Sequence, residues 1–411
     1  MNRYDVAVIG AGPGGSIAAS LLASSGARVA LIDKSTFPRD KACGDLVGPR
    51  ALALLADLGI DLPRNRRVVS DMLLVGPSGR PLRLPAESGI TYPGSGWLIK
   101  RRIFDETLYE NAISGGSLPI SARVNKITKA DGGRYQIYIG DSAISADFVI
   151  GADGANSLVA KEMNLSDEAS ALYGFAIRGY LEASVDTPVI SLFDEKSIGG
   201  ESNVLFPGYG WIFSDCEGMA NFGVGMGVLG DKKNASMATR ALLPYLELLK
   251  QQGWIKSSKF EPATKLGGWL KMGYHGIIPA RENVLLIGDA AGLVNPLQGE
   301  GIYAAMDSGM RAASAISSHP GNAAQIYRQE LEKNHAVYLK SAAAIQRLAL
   351  AHPKLAKNGA NLLTSKWMPS TVGSAWGIYW NDLIEGSGHI KGIKLAKSVA
   401  FGVELLAGMT Q

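Results

Sequence analysis

Residues 4–33 constrain this chain more than any other stretch. Tyr4–Ile9 (YDVAVI) is a short, mostly apolar run, as a parallel strand covered on both faces would be. Gly10, Gly12 and Gly15 follow it in the pattern G-x-G-x-x-G. Ser16–Ser25 (SIAASLLASS) then reads as an apolar helix of small residues, ended by Gly26 at the C′ position. Arg28–Ile32 (RVALI) reads as a second strand, closed by Asp33. The order predicts a β-α-β unit whose glycines let the backbone approach a pyrophosphate. Its helix N-terminus offers free N–H groups and a positive dipole.

Context carries this reading, because the bare motif is weak. With 50 glycines in 411 residues, about 0.7 matches to G-x-G-x-x-G arise by chance. A second match exists at Gly225, Gly227 and Gly230, but Phe222–Leu229 (FGVGMGVL) reads as a glycine-rich strand. DKKNAS follows it, with no apolar helix start and no acid-terminated second strand. Asp33 completes the first match. It lies 23 residues after Gly10, near the distance at which an acid meets a ribose 2′-hydroxyl, and an acid there favours FAD or NAD over NADP.

Composition bounds the rest. A chain of 411 residues that is 46% hydrophobic and 19% charged suggests two or three globular domains with a large core. A net charge of +4 is too small to argue for a nucleic-acid partner. Two cysteines, no C-x-x-C and no metal-spaced His/Cys cluster speak against a disulfide framework and a metal site, and fit a reducing cytoplasm. The fingerprint begins at residue 4, so the apolar N-terminus is used as a strand rather than a signal peptide. No uncharged apolar run reaches the about 18 residues of a spanning helix.

Three later segments distinguish FAD from NAD. Leu98–Ala112 (LIKRRIFDETLYENA) reads as a strand end entering a helix, with Arg101 before Phe104 and Asp105. Asp147–Ser157 (DFVIGADGANS) is a strand running into a tight turn with Asp153 at its tip. Asn283–Ala291 (NVLLIGDAA) is another buried strand reaching Gly288 and Asp289, and NPLQGEGIYAAMDSGMRAA then turns into a long helix. With the N-terminal fingerprint, this set resembles the FAD-dependent oxidoreductases of the p-hydroxybenzoate hydroxylase fold, over residues 1 to about 330. The resemblance implies that Asp33 binds the adenosine ribose, that Arg101 lies near the FAD phosphates, and that Asp153 approaches the dinucleotide from the other side. It implies that Asp289 binds the ribityl or pyrophosphate part. It also adds Lys34, Pro296, Gly299, Gly301 and Ile302 to the cofactor set, with the helix after Gly299-Glu300-Gly301 aimed at the isoalloxazine. A helix N-terminus there would stabilise negative charge on the reduced ring. Ala160 and Lys161 follow Ser157, where such proteins often carry an arginine.

Two further stretches narrow the family. FPRDKACGDLVGPRAL (Phe37–Leu52) and FPGYGWIFSDCEGMANFGVGM (Phe206–Met226), with YGFAIRGYLEA and NPLQGEGI, resemble the geranylgeranyl reductase family of flavoproteins. That family saturates isolated double bonds of prenyl chains. Its cysteine-glycine pair is matched by Cys43 and Gly44, and its P-x-Y-x-W-x-F-P-like segment by Pro207, Tyr209, Trp211 and Phe213. The sequence departs at Asp45, where many members have a second glycine, and at Ser214, where the motif usually ends in proline. Such a reaction needs hydride from flavin N5, an acid for the other alkene carbon, and a long apolar tunnel. Cys43 is the proton donor the resemblance implies, and it also enters the cofactor set with Gly44. Asp45 is an alternative donor if burial raises its pKa. Tyr209, Trp211 and Phe213 alternate along a strand and share one face, which either lines a tunnel, covers the flavin or forms sheet core. Cys216, in a polar SDCEG turn, is given no role.

The alternative on the same fold is an FAD-dependent monooxygenase acting on an apolar or aromatic metabolite. A halogenase is disfavoured, because one tryptophan and no proline stand where W-x-W-x-I-P would be. A prenyl-binding protein without redox chemistry is disfavoured by the intact FAD set. No second nucleotide fingerprint is present for the electron donor, so NAD(P)H binds transiently, or a ferredoxin or another small reductant serves.

The expected fold is α/β (α+β overall). A Rossmann-type FAD-binding domain is assembled from 1–60, 98–160 and 270–330. A mixed β-sheet substrate domain comes from 61–97 and 161–269, and a C-terminal helical region from 331–411. Tyr327–Ala351 (YRQELEKNHAVYLKSAAAIQRLALA) reads as one helix with charges on one side. Lys391, Lys394 and Lys397 precede an apolar run, and such a basic amphipathic segment either packs on the domain or rests peripherally on an anionic membrane.

Overall fold

The computed structural model of the chain describes residues 2–85, 95–130, 132–228, 232–256 and 260–365. The lysine-bearing tail at 391–397 lies outside them.

The opening unit forms as its pattern requires. Arg3–Ile9 pairs in parallel with Val29–Asp33 and with Ser142–Gly151. Val6, Ala7, Val8 and Ile9 are all buried, so the strand is covered on both faces, which is why it shows no alternation. Leu118–Ser121 extends one edge in parallel, and Val284–Leu286 followed by Ala280–Arg281 extends the other. A hairpin of Val124–Lys129 and Tyr135–Ile139 completes the eight-stranded sheet. The helix Pro13–Ser24 connects the first two strands and ends at Gly26, whose φ of 92° is the left-handed C′ conformation.

A second long helix, Ile302–Ser318, packs on the first so closely that small residues are obligatory. A Cβ on Gly14 would stand 2.4 Å from the carbonyl oxygen of Ala305, and one on Gly309 would stand 2.3 Å from that of Gly14.

The second sheet has seven strands in the order Phe260–Met272, Leu172–Glu182, Met219–Val228, Gly208–Ser214, Val189–Ser191, Asp71–Val75 and Pro81–Pro85. All its pairings are antiparallel except Val189–Ser191 with Asp71–Val75. Its two faces read directly off the alternation. Ile212, Phe222 and Val224 pack under the helix Ser236–Gln251, while Trp211 and Phe213 join Val69, Met72, Leu98 and Ile190 on the other face. A three-stranded sheet of Leu46–Val47, Gly96–Leu98 and Arg67–Val69 lies beside that face.

The glycines of Met219–Val228 make room for a side chain rather than a phosphate. A Cβ on Gly223 would lie 2.2 Å from the ring of Trp211. Gly225 and Gly227 of the second glycine match lie in this same strand, where a Cβ on Gly227 would meet the Gln346 side chain at 2.8 Å.

The C-terminal helices depart from the single helix expected over 327–351. Ala323–Leu331 and Val337–Ala351 are separated by a π turn at Glu332–Ala336, and Pro353–Leu363 follows. No described helix is long and apolar enough to cross a membrane.

Candidate active site

Four segments converge at the C-terminal ends of the central parallel strands, where open α/β sheets place their ligands. The first is the glycine loop. Gly10 has φ 104°, and a Cβ there would meet the carbonyl oxygen of Ala152 at 2.2 Å, so the GADG turn touches the loop backbone to backbone. A Cβ on Gly15 would overlap the carbonyl oxygen of Gly10 at 1.9 Å, which seats the helix directly on the loop. Gly12 is the N-cap residue, and its Cβ direction is open to 3.6 Å, where the guanidinium of Arg39 begins. The first turn has no acidic residue and no side-chain cap. Its orphan N–H groups and Arg39 are therefore available to an anion.

Asp33 stabilises the loop from below. Its carboxylate accepts from the N–H groups of Ala11 and Ser35, each at 2.8 Å. Lys34 is exposed beside it. Asp153 turns its carboxylate inward, accepting from the Ser157 hydroxyl at 2.5 Å and the Val159 N–H at 3.1 Å, so it caps the short helix Leu158–Glu162. Burial raises its pKa against those donors. The backbone at Ala152–Asp153, rather than the Asp153 carboxylate, faces Gly10.

The third segment is Gly288–Ile302. Asp289 starts a 3₁₀ turn, and its Oδ1 lies 3.5 Å from the Cβ direction of Gly301, the N-cap of Ile302–Ser318. Asn295 shapes the loop by accepting from the N–H groups of Leu297 and Gln298. Pro296 is buried there and its carbonyl accepts from Gln346. Gly299 has φ 68°, and Tyr209 reaches across to donate its hydroxyl to the Gln298 carbonyl. The Gln298 side-chain amide is buried with neither its nitrogen nor its oxygen hydrogen-bonded. A buried amide without partners marks a place built for a group outside the chain. The open helix N-terminus at Gly12, the glycine cradles and this amide together fit FAD, while at Gly301 the Glu300 carboxyl already accepts from the Tyr303 N–H at 2.9 Å. Gly10, Gly12, Gly15, Arg39, Asp33, Asp289, Gly299 and Gly301 are the residues that would hold it.

The fourth segment, residues 40–45, lies across the second sheet and is held at each step. Arg178, 1% exposed, donates to Asp40 at 2.5 Å. The Asn221 amide donates to the Cys43 carbonyl at 2.8 Å and to the Asp45 carboxyl at 2.7 Å, and accepts from the Trp211 indole at 2.9 Å. Gly44 lies against Trp211 and Phe213, with 3.0 Å from its Cβ direction to the Phe213 ring. Asp45 sits at φ 63°, a left-handed backbone that favours glycine. Asp45 is 4% exposed and accepts from Asn221, from the Arg101 N–H at 3.2 Å and from the Tyr180 hydroxyl.

Burial dominates the electrostatics of this loop. It pushes the Asp45 carboxyl above the usual carboxylate range, although Tyr180, Asn221 and Arg101 all donate to it. It pushes the Cys43 thiol up as well, against the attraction of the Arg101 guanidinium. The Cys43 residue keeps some exposed surface, but its sulfur lies in a desolvated setting, and the sulfur is what titrates. Arg101 itself is 5% exposed. Burial opposes its charge, but Asp105, bonded at 2.7 and 2.9 Å, holds it protonated. Asp105 also pairs with Arg39 at 3.2 Å. Two cations share one carboxylate here, which leaves the floor of the site positive and suited to a pyrophosphate.

The structure thus gathers Cys43, Gly44, Asp45 and Arg101 into one cluster, with Trp211 as its packed wall and Tyr209 at the edge nearest Gly299. Trp211 and Phe213 are 5% and 7% exposed, so they are wall rather than open lining. Ser214, in place of proline, accepts from the Val185 N–H at 2.8 Å and donates to the Ala183 carbonyl. Arg39, Tyr180, Asn221 and Gln298 lie within the stretches that carry the resemblance, but no spacing singles them out. Asn221 alone leaves a trace, as the one polar side chain in the apolar and glycine run NFGVGMGV.

A family model described as FAD binding domain matches residues 3–196. The menaquinone reductase of Mycolicibacterium smegmatis is 34% identical over 321 residues, covering 77% of this chain and 77% of that one. Digeranylgeranylglycerophospholipid reductase 2 of Methanosphaera stadtmanae is 31% identical over 325 residues, covering 76% of this chain and 77% of that one. Among solved structures, a geranylgeranyl bacteriochlorophyll reductase-like protein of Thermoplasma acidophilum aligns with a TM-score of 0.74 over 94% of this chain and 98% of that one. At 21% identity that likeness speaks for the fold alone.

Proposed function

This chain belongs to the geranylgeranyl reductase family of FAD-dependent oxidoreductases, and on that footing we propose that it saturates carbon–carbon double bonds in the isoprenoid chain of a lipid-like substrate. A prenylated quinone is the first substrate to try, because the menaquinone reductase of Mycolicibacterium smegmatis is 34% identical to this chain over 321 residues. FAD, when bound and reduced, supplies the hydride.

The chain's own residues supply the rest. An isolated alkene has no carbonyl to polarise, so the protein must bring a proton to carbon inside an apolar setting. The observation that carries the reading is the pair of buried acids on one loop, the Cys43 thiol and the Asp45 carboxyl, both biased by burial toward their protonated forms. Positioned general acids of this kind contribute about 10²–10⁴-fold. Trp211 and Phe213 back the loop and exclude water from it. Asn221 fixes the distance between loop and wall. The electron donor is NAD(P)H or a small reductant protein, acting from outside the described sites, and a lipid substrate suits a cytoplasmic enzyme working at a membrane surface.

Oxygen bookkeeping separates reductase from monooxygenase. With a chemical reductant and a prenylated quinol, saturated product is expected to accumulate with no matching oxygen uptake. One oxygen consumed per product, in an oxygen-electrode trace, would assign the site to hydroxylation instead.

A further inference from the structure

We infer that Tyr180 and Asp45 form a relay that returns a proton from the protein surface to the reaction site after each turnover, with Asn221 as the residue that fixes its geometry. The inference rests on the reading that this site reduces an alkene, a reaction that delivers one proton to substrate carbon at every cycle. The stoichiometry is one hydride to one alkene carbon, leaving oxidised flavin, and one proton to the other carbon. The acid that gives that proton must regain it from water.

The contacts of Asp45 leave one route. Its carboxyl has three hydrogen-bond partners among the described residues: the Arg101 backbone N–H, the Asn221 amide and the Tyr180 hydroxyl. An amide N–H holds its proton at any physiological pH and cannot hand it over. A phenol can release one proton and accept another on the same oxygen. Tyr180 is also the partly exposed partner, whereas Asp45 and Asn221 are 4% and 3% exposed. When Asp45 gives up its proton, the O–H bond of Tyr180 breaks toward the carboxylate, and a solvent proton forms a new O–H bond on the phenol oxygen.

Charges of both signs surround the pair. The Tyr180 ring carries the Arg178 guanidinium at 4.6 Å and the Lys100 ammonium at 6.0 Å. Arg178 favours transient negative charge on the phenol oxygen, Asp40, paired with Arg178, opposes it, and Lys100 is itself paired with Asp215 and Glu217. On the inner side, Cys43 and Arg101 face Asp45. Burial keeps Tyr180 protonated at rest, well above its ordinary pKa. Asn221 touches no reacting atom. It uses three hydrogen bonds to hold Asp45, the Cys43 carbonyl and Trp211 in one register.

The test uses FAD-loaded protein, reduced under argon, and menaquinol with an unsaturated prenyl chain. The rate of appearance of the chain-saturated product is followed against pH in H₂O and D₂O. Tyr180→Phe is expected to keep its flavin and its reduction by dithionite. Its product formation should slow tenfold or more, with a steeper fall as pH rises and an altered solvent isotope effect. Asp45→Asn is expected to slow it by about 10²-fold or more. Its infrared difference spectrum should lack the carboxylic C=O band that wild type shows, and Tyr180→Phe should shift that band. A Tyr180→Phe protein with wild-type rates and a superimposable pH profile overturns the relay and leaves alkene reduction standing. A wild-type protein that never saturates the chain overturns the reduction reading and the relay with it.

Discussion

Gly15→Ala is expected to yield a protein that purifies without flavin. The added Cβ would stand 1.9 Å from the Gly10 carbonyl oxygen and 3.1 Å from the Ala152 Cβ. Neither backbone can retreat, because Gly10 is bonded to Ile32 and abuts Ala152. The helix Pro13–Ser24 must therefore lift off the loop, at a cost of about 1–3 kcal/mol for overpacking, and the N–H groups at its start lose their aim. Gly12→Ala provides the contrast. Its Cβ meets nothing nearer than 3.6 Å, so the apoprotein should melt as wild type does, while the methyl occupies the space where an anion would sit. The ratio of visible to ultraviolet absorbance, with thermal melting of each apoprotein, separates loss of fold from loss of cofactor.

Asp307→Ala is expected to cost about 3–5 kcal/mol of stability, the range seen when one partner is removed from a buried charge cluster. Asp307 is 2% exposed on the helix Ile302–Ser318. It accepts from His335 Nε2 at 2.6 Å, from Arg311 at 2.7 and 3.1 Å, and from the Tyr303 hydroxyl at 3.3 Å. Burial alone would raise its pKa, but His335 and Arg311 outweigh that and hold it well below the usual carboxylate range. The folded value lies below the unfolded value of about 3.9. The contribution is therefore complete above that pH and is lost as pH falls through the folded value. Denaturant melts should show the gap between wild type and Asp307→Ala wide at pH 7 and closing below about pH 4. The variant should also hold flavin less tightly. Tyr303 lies in the first turn of this helix, beside Gly301, and Arg50 stacks on its ring at 3.9 Å.

Local order was legible and long-range pairing was not. The β-α-β unit could be read because strand, glycine loop, helix and Asp33 lie within 30 residues, so one window holds every signal. The shared face of Tyr209, Trp211 and Phe213 could be read because period two is a property of the strand itself. The departure at Asp45 was visible as a departure, but its meaning needed the backbone angle. Tyr180 and Asn221 reach Asp45 from 135 and 176 residues away, and no periodicity spans such a separation. Arg39 pairs with Asp105 in the same way. The π turn at Glu332–Ala336 escaped a helical pattern that simply continues through it, since one extra residue per turn barely disturbs a short amphipathic stripe. It carries His335 to within 2.6 Å of Asp307, so the irregularity serves the buried cluster.

On the proposed function, this flavoprotein passes a hydride to an alkene without oxygen. The direct measurement is a single anaerobic turnover: protein loaded with FAD, reduced with dithionite, and mixed with menaquinol, whose head group can take up no further electrons. The flavin absorbance is expected to return under argon, with the recovered quinol two mass units heavier in its prenyl chain. Flavin that stays reduced until air is admitted, with a product sixteen units heavier, would contradict it.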